Sequence, residues 1–228
     1  MGSNLNAYIL LTEKEWHLSL FEELRCFVPG EWVLMSSIQD FNVNNLYTIN
    51  PAKIFIPHWS HIIEEEIYNT WECIVFHMTD LPYGRGGSPL QNLIVAEKKD
   101  TMITAILVEQ GIDTGSVYLK SFLPLHGTAY EIFLRSSRII LHMIKDIIDL
   151  KPIPQEQVGE VVLFKRRKPE DGNLINLDDL VKLYDYIRML DCPGYPNAFI
   201  ETNNFKFEFS NATISDNYID AHVRITKK

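Results

Sequence analysis

Short runs of apolar and β-branched residues, each closed by turn-forming or polar residues, recur along the first half of the chain. AYILLT (7–12), EWVLMSS (31–37), KIFIP (53–57) and ECIVFHM (72–78) are of this kind and predict buried strands. Between the first two, EKEWHLSLFEELRCF sets Trp16, Leu18, Leu20, Phe21 and Leu24 at helical spacing. Strand, helix, strand, connection, strand is the order that builds a parallel sheet through right-handed crossovers. ITAILV (103–108) adds a strand, and SVYLKSFLP (116–124) runs back beside it after the turn GIDTG. From Thr128 the period changes to that of a helix, with Ile132, Phe133, Ile139, Ile140, Met143, Ile144, Ile147 and Ile148 on one face, read as a packing element. Beyond KPIPQEQ the composition shifts to VVLFKRR, a charged turn, a helix LDDLVKLYDYIRML and two strands joined at TNN (202–204). The predicted fold class is therefore α/β, a mostly parallel sheet flanked by helices (residues 1–150), with a small C-terminal α+β appendage of strand, helix and hairpin (151–228).

Composition narrows the function. A chain of 228 residues with 46% hydrophobic content can bury a proper core. Its 21 basic and 30 acidic residues leave a net charge of −9, which argues against long-range attraction of nucleic acid. Cys26, Cys73 and Cys192 are odd in number and far apart, without a CxxC pair, so they read as reduced thiols of a cytoplasmic protein. No run approaches the roughly 18 apolar residues of a membrane span. The opening MGSNLN lacks the Ser or Thr that N-myristoylation wants at position six. His58 and His61 lie three apart but gather no third ligand, so no metal is expected.

The chemistry concentrates in HMTDLPYGRGGSPLQ (77–91). His77 ends a strand, where open α/β sheets bind ligands. Ser88 and Pro89 read as a helix start, Ser as the cap and Pro at the first position. Glycines leading into a helix N-terminus can turn backbone N–H groups toward a ligand, or serve only as a connection. The spacing fits neither a dinucleotide fingerprint nor a phosphate loop. Asp113 sits between Gly111 and Gly115, and neighbouring strand ends can set its carboxylate beside His77, which orients the ring for acid–base work.

FHMTDLPYGRGGSPLQNLI followed by ITAILVEQGIDTG, with Asp113 36 residues after His77, resembles the folate-dependent formyltransferases. These carry an H-x-S-L-L-P-x-x-R-G-x-x-P-I loop and a later G-L-D-T-G turn on a Rossmann-like domain. The likeness covers about residues 54–120. More loosely, KRRKPEDGNLI and YDYIRMLDCPGYPNAF (within 165–199) are similar to a segment of formyltransferases that act on nucleotide-linked amino sugars.

The resemblance implies transfer of a formyl group from N10-formyltetrahydrofolate to a primary amine. His77 matches the catalytic histidine and Asp113 the carboxylate that holds it; the imidazole would stabilise the oxyanion and help move the proton. Trp59 and Ile62, in the segment IFIPHWSHII, become candidate walls of the pterin pocket, with core packing as the alternative. The loop residues Leu81, Pro82, Gly84, Arg85 and Gly86 and the turn residues Gln110, Gly111 and Ile112 become candidate donor-binding positions. Where the family has an asparagine two residues before the histidine, this chain has Val75, which cannot donate a hydrogen bond. Asn92, Thr79 or backbone amides of the glycine loop are candidate substitutes; the alternative is a slow member of the family.

For the acceptor, Arg166, Arg167 and Arg188 are candidate binders of a nucleotide diphosphate, with Tyr195 or Phe199 stacking on the base or lining the sugar pocket. The alternative is surface pairing of the arginines with Glu170 and Asp171. An acidic chain closing at Lys228 without a basic segment is expected not to act on tRNA. The leading expectation is an N-formyltransferase for a nucleotide-activated amino sugar of surface glycan synthesis, such as a UDP-linked 4-amino-4,6-dideoxy sugar. The competing expectations are a formylation module acting on a carrier-bound aminoacyl group and a non-catalytic Rossmann-like binder. FKFEFS and IDAHVRI can form a sheet edge that pairs two protomers or packs on the chain's own helix.

Overall fold

The structure is a computed structural model and describes residues 6–228; the opening segment MGSNL, read above against acylation, lies outside them. The chain divides into two compact units. The first runs up to Arg85 and adds Met102–Leu123 and Leu134–Leu163; the second comprises Gly86–Thr101, Pro124–Phe133 and Phe164–Lys228.

The predicted strands form in the first unit as β1 (Ala7–Thr12), β2 (Glu31–Met35), β3 (Lys53–His58) and β4 (Cys73–His77), with helices α1 (Leu18–Phe27), α2 (Val43–Ile49) and α3 (Glu65–Thr70) between them. These strands pair in parallel, and the full sheet runs β2-β1-β3-β4-β6-β7, with β6 at Asp100–Leu107 and β7 at Val117–Pro124. The runs are nearly continuous in apolar residues because both sheet faces are covered. Ile9, Leu10, Leu11, Ile54 and Phe55 are wholly buried. One core cluster sets Ile9, Leu11, Ile54 and Ile56 against Leu46, Ile67 and Trp71.

β6 departs from the parallel order. It pairs with β4 antiparallel, Ile74 opposite Leu107 and His77 opposite Thr104, so β6 ends beside the start of β4. A short ribbon of β5 (Tyr83–Gly86) and β8 (Val162–Phe164) lies apart from the main sheet.

The long helix forms as α5 (Ala129–Leu150), with Ile132, Phe133, Ile140, Met143, Ile144 and Ile147 buried at the expected spacing. Its start is a reciprocal cap: Glu131 accepts from Thr128 N–H at 2.8 Å and donates its own N–H to the Thr128 hydroxyl. Helix α4 (Pro89–Val95) begins on Pro89 as predicted, but Ser88 is no side-chain cap. It sits at φ 52°, and its hydroxyl accepts from Arg167 N–H at 3.0 Å instead. In the second unit α6 (Leu180–Arg188) is capped by Asp179, and three strands rather than two follow: β9 (Ala198–Glu201), β10 (Phe205–Ile214) and β11 (Ile219–Lys227), in the order β11-β10-β9. β11 is largely exposed. Among the described residues no helix is long and apolar enough to cross a membrane, and no three His, Cys, Asp or Glu side chains gather to hold a metal.

A buried histidine lies where the chain enters α1. His17 is 1% exposed, and its Nδ1 lies 2.6 Å from the Ser137 hydroxyl, which itself donates to Trp16 O at 3.2 Å. The hydroxyl proton is thus engaged, so Nδ1–H of His17 is the donor. Burial, with nearby His58 adding to it, lowers the His17 pKa to about 3. The folded chain therefore binds fewer protons than the unfolded chain, whose histidine titrates near 6.5. Stability from this site is full above that value and falls as pH drops toward 3, by about 1.4 kcal/mol per pH unit where the proton difference is complete. Urea midpoints measured between pH 7.5 and 4.5 should fall more steeply for the parent chain than for His17→Gln.

Candidate active site

His77 ends β4 and is buried at 7% exposure. Its Nε2 lies 2.8 Å from Gly84 O and its Nδ1 3.5 Å from Asp113 Oδ2. Both partners are acceptors. A neutral ring can donate to one of them, whereas the imidazolium donates to both.

The loop after β4 is pinned from two sides. Thr104, opposite His77 on β6, donates to Thr79 O at 2.6 Å and accepts from Leu81 N–H. Lys120 on β7 reaches Asp80 and donates to Leu81 O at 2.6 Å. Thr79, wholly buried, also donates to Gly84 O. Gly84 takes φ 78°, a left-handed conformation that turns its carbonyl back to the ring at little cost for glycine. Leu81 and Pro82 are buried, and Arg85 is half-buried.

Asp113 reaches His77 by an indirect route. Since β6 ends near the start of β4, residues 108–116 must travel back along the sheet to place the carboxylate. The turn is tight: Asp113 adopts φ 54°, and a Cβ on Gly115 would overlap the Leu107 carbonyl oxygen. Gln157, from the segment read only as a composition boundary, donates its amide to Asp113 O at 2.9 Å and to Gly115 O at 2.8 Å. Its oxygen accepts from Arg85 Nε and Nη2 at 3.1 and 2.8 Å. No spacing or motif signalled it.

Gln110, Gly111 and Ile112 form the exposed tip of this turn, with Ile112 67% exposed. Ile62 is 86% exposed, which removes core packing as its explanation. Trp59 is half-buried, its ring 6.0 Å from Phe41 and 5.1 Å from His61. Trp59 also packs on the apolar core cluster, so core packing accounts for it. The exposed Ile62 side chain and the exposed backbone of Gln110–Ile112 are groups that would suit the face and edge of a pterin.

In the second unit, Gly86 takes φ 106° and backs onto Phe164 O, and Gly87 backs onto Arg166. These glycines admit the chain's own backbone. Asn92 donates to Gly87 O at 3.0 Å and Lys165 O at 2.9 Å, so it and Thr79, two proposed substitutes for the missing asparagine, are already bonded. Val75 is half-buried against the apolar cluster.

The three arginines differ. Arg188 is buried, donating to Asp185 Oδ1 at 2.6 Å, Leu125 O at 2.7 Å and Gly127 O at 2.9 Å; its guanidinium ties elements together. Arg167 donates to Asp171 O and lies over the Tyr186 ring. Arg166 is exposed, and its charge counters the burial that raises the Tyr195 phenol. Tyr195 also packs 5.7 Å from Phe133, and Phe199 lies under Lys206.

The chain is 44% identical to a protein of known structure named methionyl-tRNA formyltransferase from Clostridium thermocellum, with a TM-score of 0.95 over 98% of this chain and 100% of that one. It is 30% identical over 176 residues to methionyl-tRNA formyltransferase of Campylobacter lari, covering 75% of this chain and 57% of that protein. Residues 169–226 match the family described as methionyl-tRNA formyltransferase, C-terminal domain. A 4-N formyltransferase from Francisella tularensis shares the fold at 15% identity, with a TM-score of 0.66 over 88% and 94% of the two chains. The chain belongs to the folate-dependent formyltransferase family, which uses N10-formyltetrahydrofolate. Within that family its similarity is greatest, among these proteins, to those named for methionyl-tRNA, although it spans little more than half the length of the curated ones.

Gly115→Ala should displace the turn that carries Asp113 and cost about 1–3 kcal/mol or more, since the obstructing atom is backbone. A urea midpoint unchanged from the parent would contradict the close approach described here.

Proposed function

We propose that the chain transfers a formyl group to the primary amine of a nucleotide-linked amino sugar, with His77 and Asp113 as the reacting pair. The observation that carries the reading is the contact of His77 Nδ1 with Asp113 at 3.5 Å, with Nε2 of the same ring on Gly84 O. N10-formyltetrahydrofolate, when bound, supplies the one-carbon group. Asp113 sets the ring orientation. His77 offers a proton at Nε2, the atom that donates to Gly84 O here, toward negative charge developing on the formyl oxygen. Gln110 to Ile112 and Ile62 would hold the donor. In the second unit, the exposed Arg166 is a guanidinium of the kind that binds phosphate.

The net charge of −9 supports a small acceptor over tRNA, whose backbone the chain would repel. A second reading, methionyl-tRNA as acceptor, is favoured by the name of the 44% identical Clostridium thermocellum protein.

Release of tetrahydrofolate from N10-formyltetrahydrofolate, measured with UDP-linked 4-amino-4,6-dideoxy sugars and with methionyl-tRNA, separates the two. The proposal expects turnover with a nucleotide sugar; turnover with methionyl-tRNA alone would overturn it. His77→Ala should lower kcat by roughly 10²–10⁴ while the chain stays folded. Val75→Asn should leave turnover near the parent value, whereas a large rise would mean that no other group serves as oxyanion donor.

A further inference from the structure

We propose that Gln157 is a positioning residue that holds Asp113 against His77. This rests on the reading of His77 and Asp113 as the reacting pair.

Sheet pairing does not place Asp113. β6 is antiparallel to β4 and ends beside Cys73 and Ile74, so the register that fixes His77 opposite Thr104 carries the other strand end away from the ring. The carboxylate returns on a turn whose residue is held at φ 54°, outside the backbone region an aspartate prefers. Gln157 spans that turn. Its Nε2 donates to the carbonyls of Asp113 and Gly115, so both amide protons are spent on one turn. Its oxygen takes two N–H groups from Arg85, in the loop whose Gly84 carbonyl holds the other side of the His77 ring. One side chain thus ties the segment that presents Asp113 to the segment that contacts Nε2. A hydrogen-bonding side chain polarised by a guanidinium at one end is a stronger donor at the other.

The amide is the only neutral group of this size that can accept from Arg85 and donate twice to carbonyls. Gln157→Glu separates the two roles. The carboxylate keeps the Arg85 contact, so the side chain stays in place, but it presents acceptors to Asp113 O and Gly115 O. Gln157→Met removes both contacts without adding charge.

Hydrogen exchange at residues 111–115 of the free chain is the first measurement. Faster exchange in Gln157→Glu, with no change at β1 and β3, is expected; unchanged exchange in both Gln157→Glu and Gln157→Met would overturn the proposal. The second is a double-mutant cycle on kcat, read as tetrahydrofolate release with the acceptor that turns over. Gln157→Glu should lower kcat by roughly 10- to 100-fold in the parent and add little to Asp113→Asn, because it acts through that residue. Additive losses would assign Gln157 a separate structural role and overturn the proposal. Should Asp113→Asn itself leave kcat unchanged, the reading of the reacting pair fails instead, and the exchange result still decides whether Gln157 holds the turn.

Discussion

The antiparallel run of β6 is the constraint on which the site depends. In a wholly parallel sheet, consecutive strand ends gather on one edge and their loops meet by default. Here only β4 delivers its residue, His77, to that edge through its own register, and the partner carboxylate returns over residues 108–116. That return demands a left-handed aspartate, a glycine pressed on the Leu107 carbonyl, and hydrogen bonds from outside the turn. Backbone strain of this kind persists only where surrounding contacts over-determine it, and it clusters at functional sites.

The glycine loop follows a related logic. Gly84 turns a carbonyl to the ring, but Gly86 and Gly87 lie so close to Phe164 and Arg166 that any side chain there would collide with the chain itself. The entropy that glycines lose on folding is offset by close backbone contact, including Gly87 N–H donating to Phe164 O at 3.2 Å. The same packing engages Ser88, whose hydroxyl meets Arg167 N–H rather than its own helix.

What could be read from sequence divides along physical lines. Strands β1 to β4, helix α5 and the placing of His77 at a strand end follow from local periodicity, which the core then rewards. The pairing of His77 with Asp113 was legible only because two motifs occur in order at a characteristic separation. Strand direction was not legible: ITAILV buries equally well in either sense, and the connection over residues 78–99, which carries α4, is long enough for both. Nor was Gln157, whose role depends on tertiary placement of a single amide. Arg188 reads as a phosphate binder or a surface ion-pair partner and is neither; it is buried, which is possible because Asp185 and two carbonyls satisfy the guanidinium, and an i,i+3 spacing alone does not announce this.

Val75 bears on how the reaction would be carried. An absent oxyanion donor typically costs about 10²–10³ in rate. Thr79 and Asn92 are each committed to carbonyls, so neither can supply the missing bond without giving up one it makes. The ring of His77, by contrast, has Nε2 on a carbonyl whose φ 78° glycine can turn away at low cost. Release of that one bond would free a donor from a ring still oriented by Asp113. With the Thr79 and Asn92 side chains engaged, the backbone amides of the glycine loop and the His77 imidazole would remain to meet the developing charge, and the two Gln157 amide bonds hold the turn whose carboxylate orients that ring.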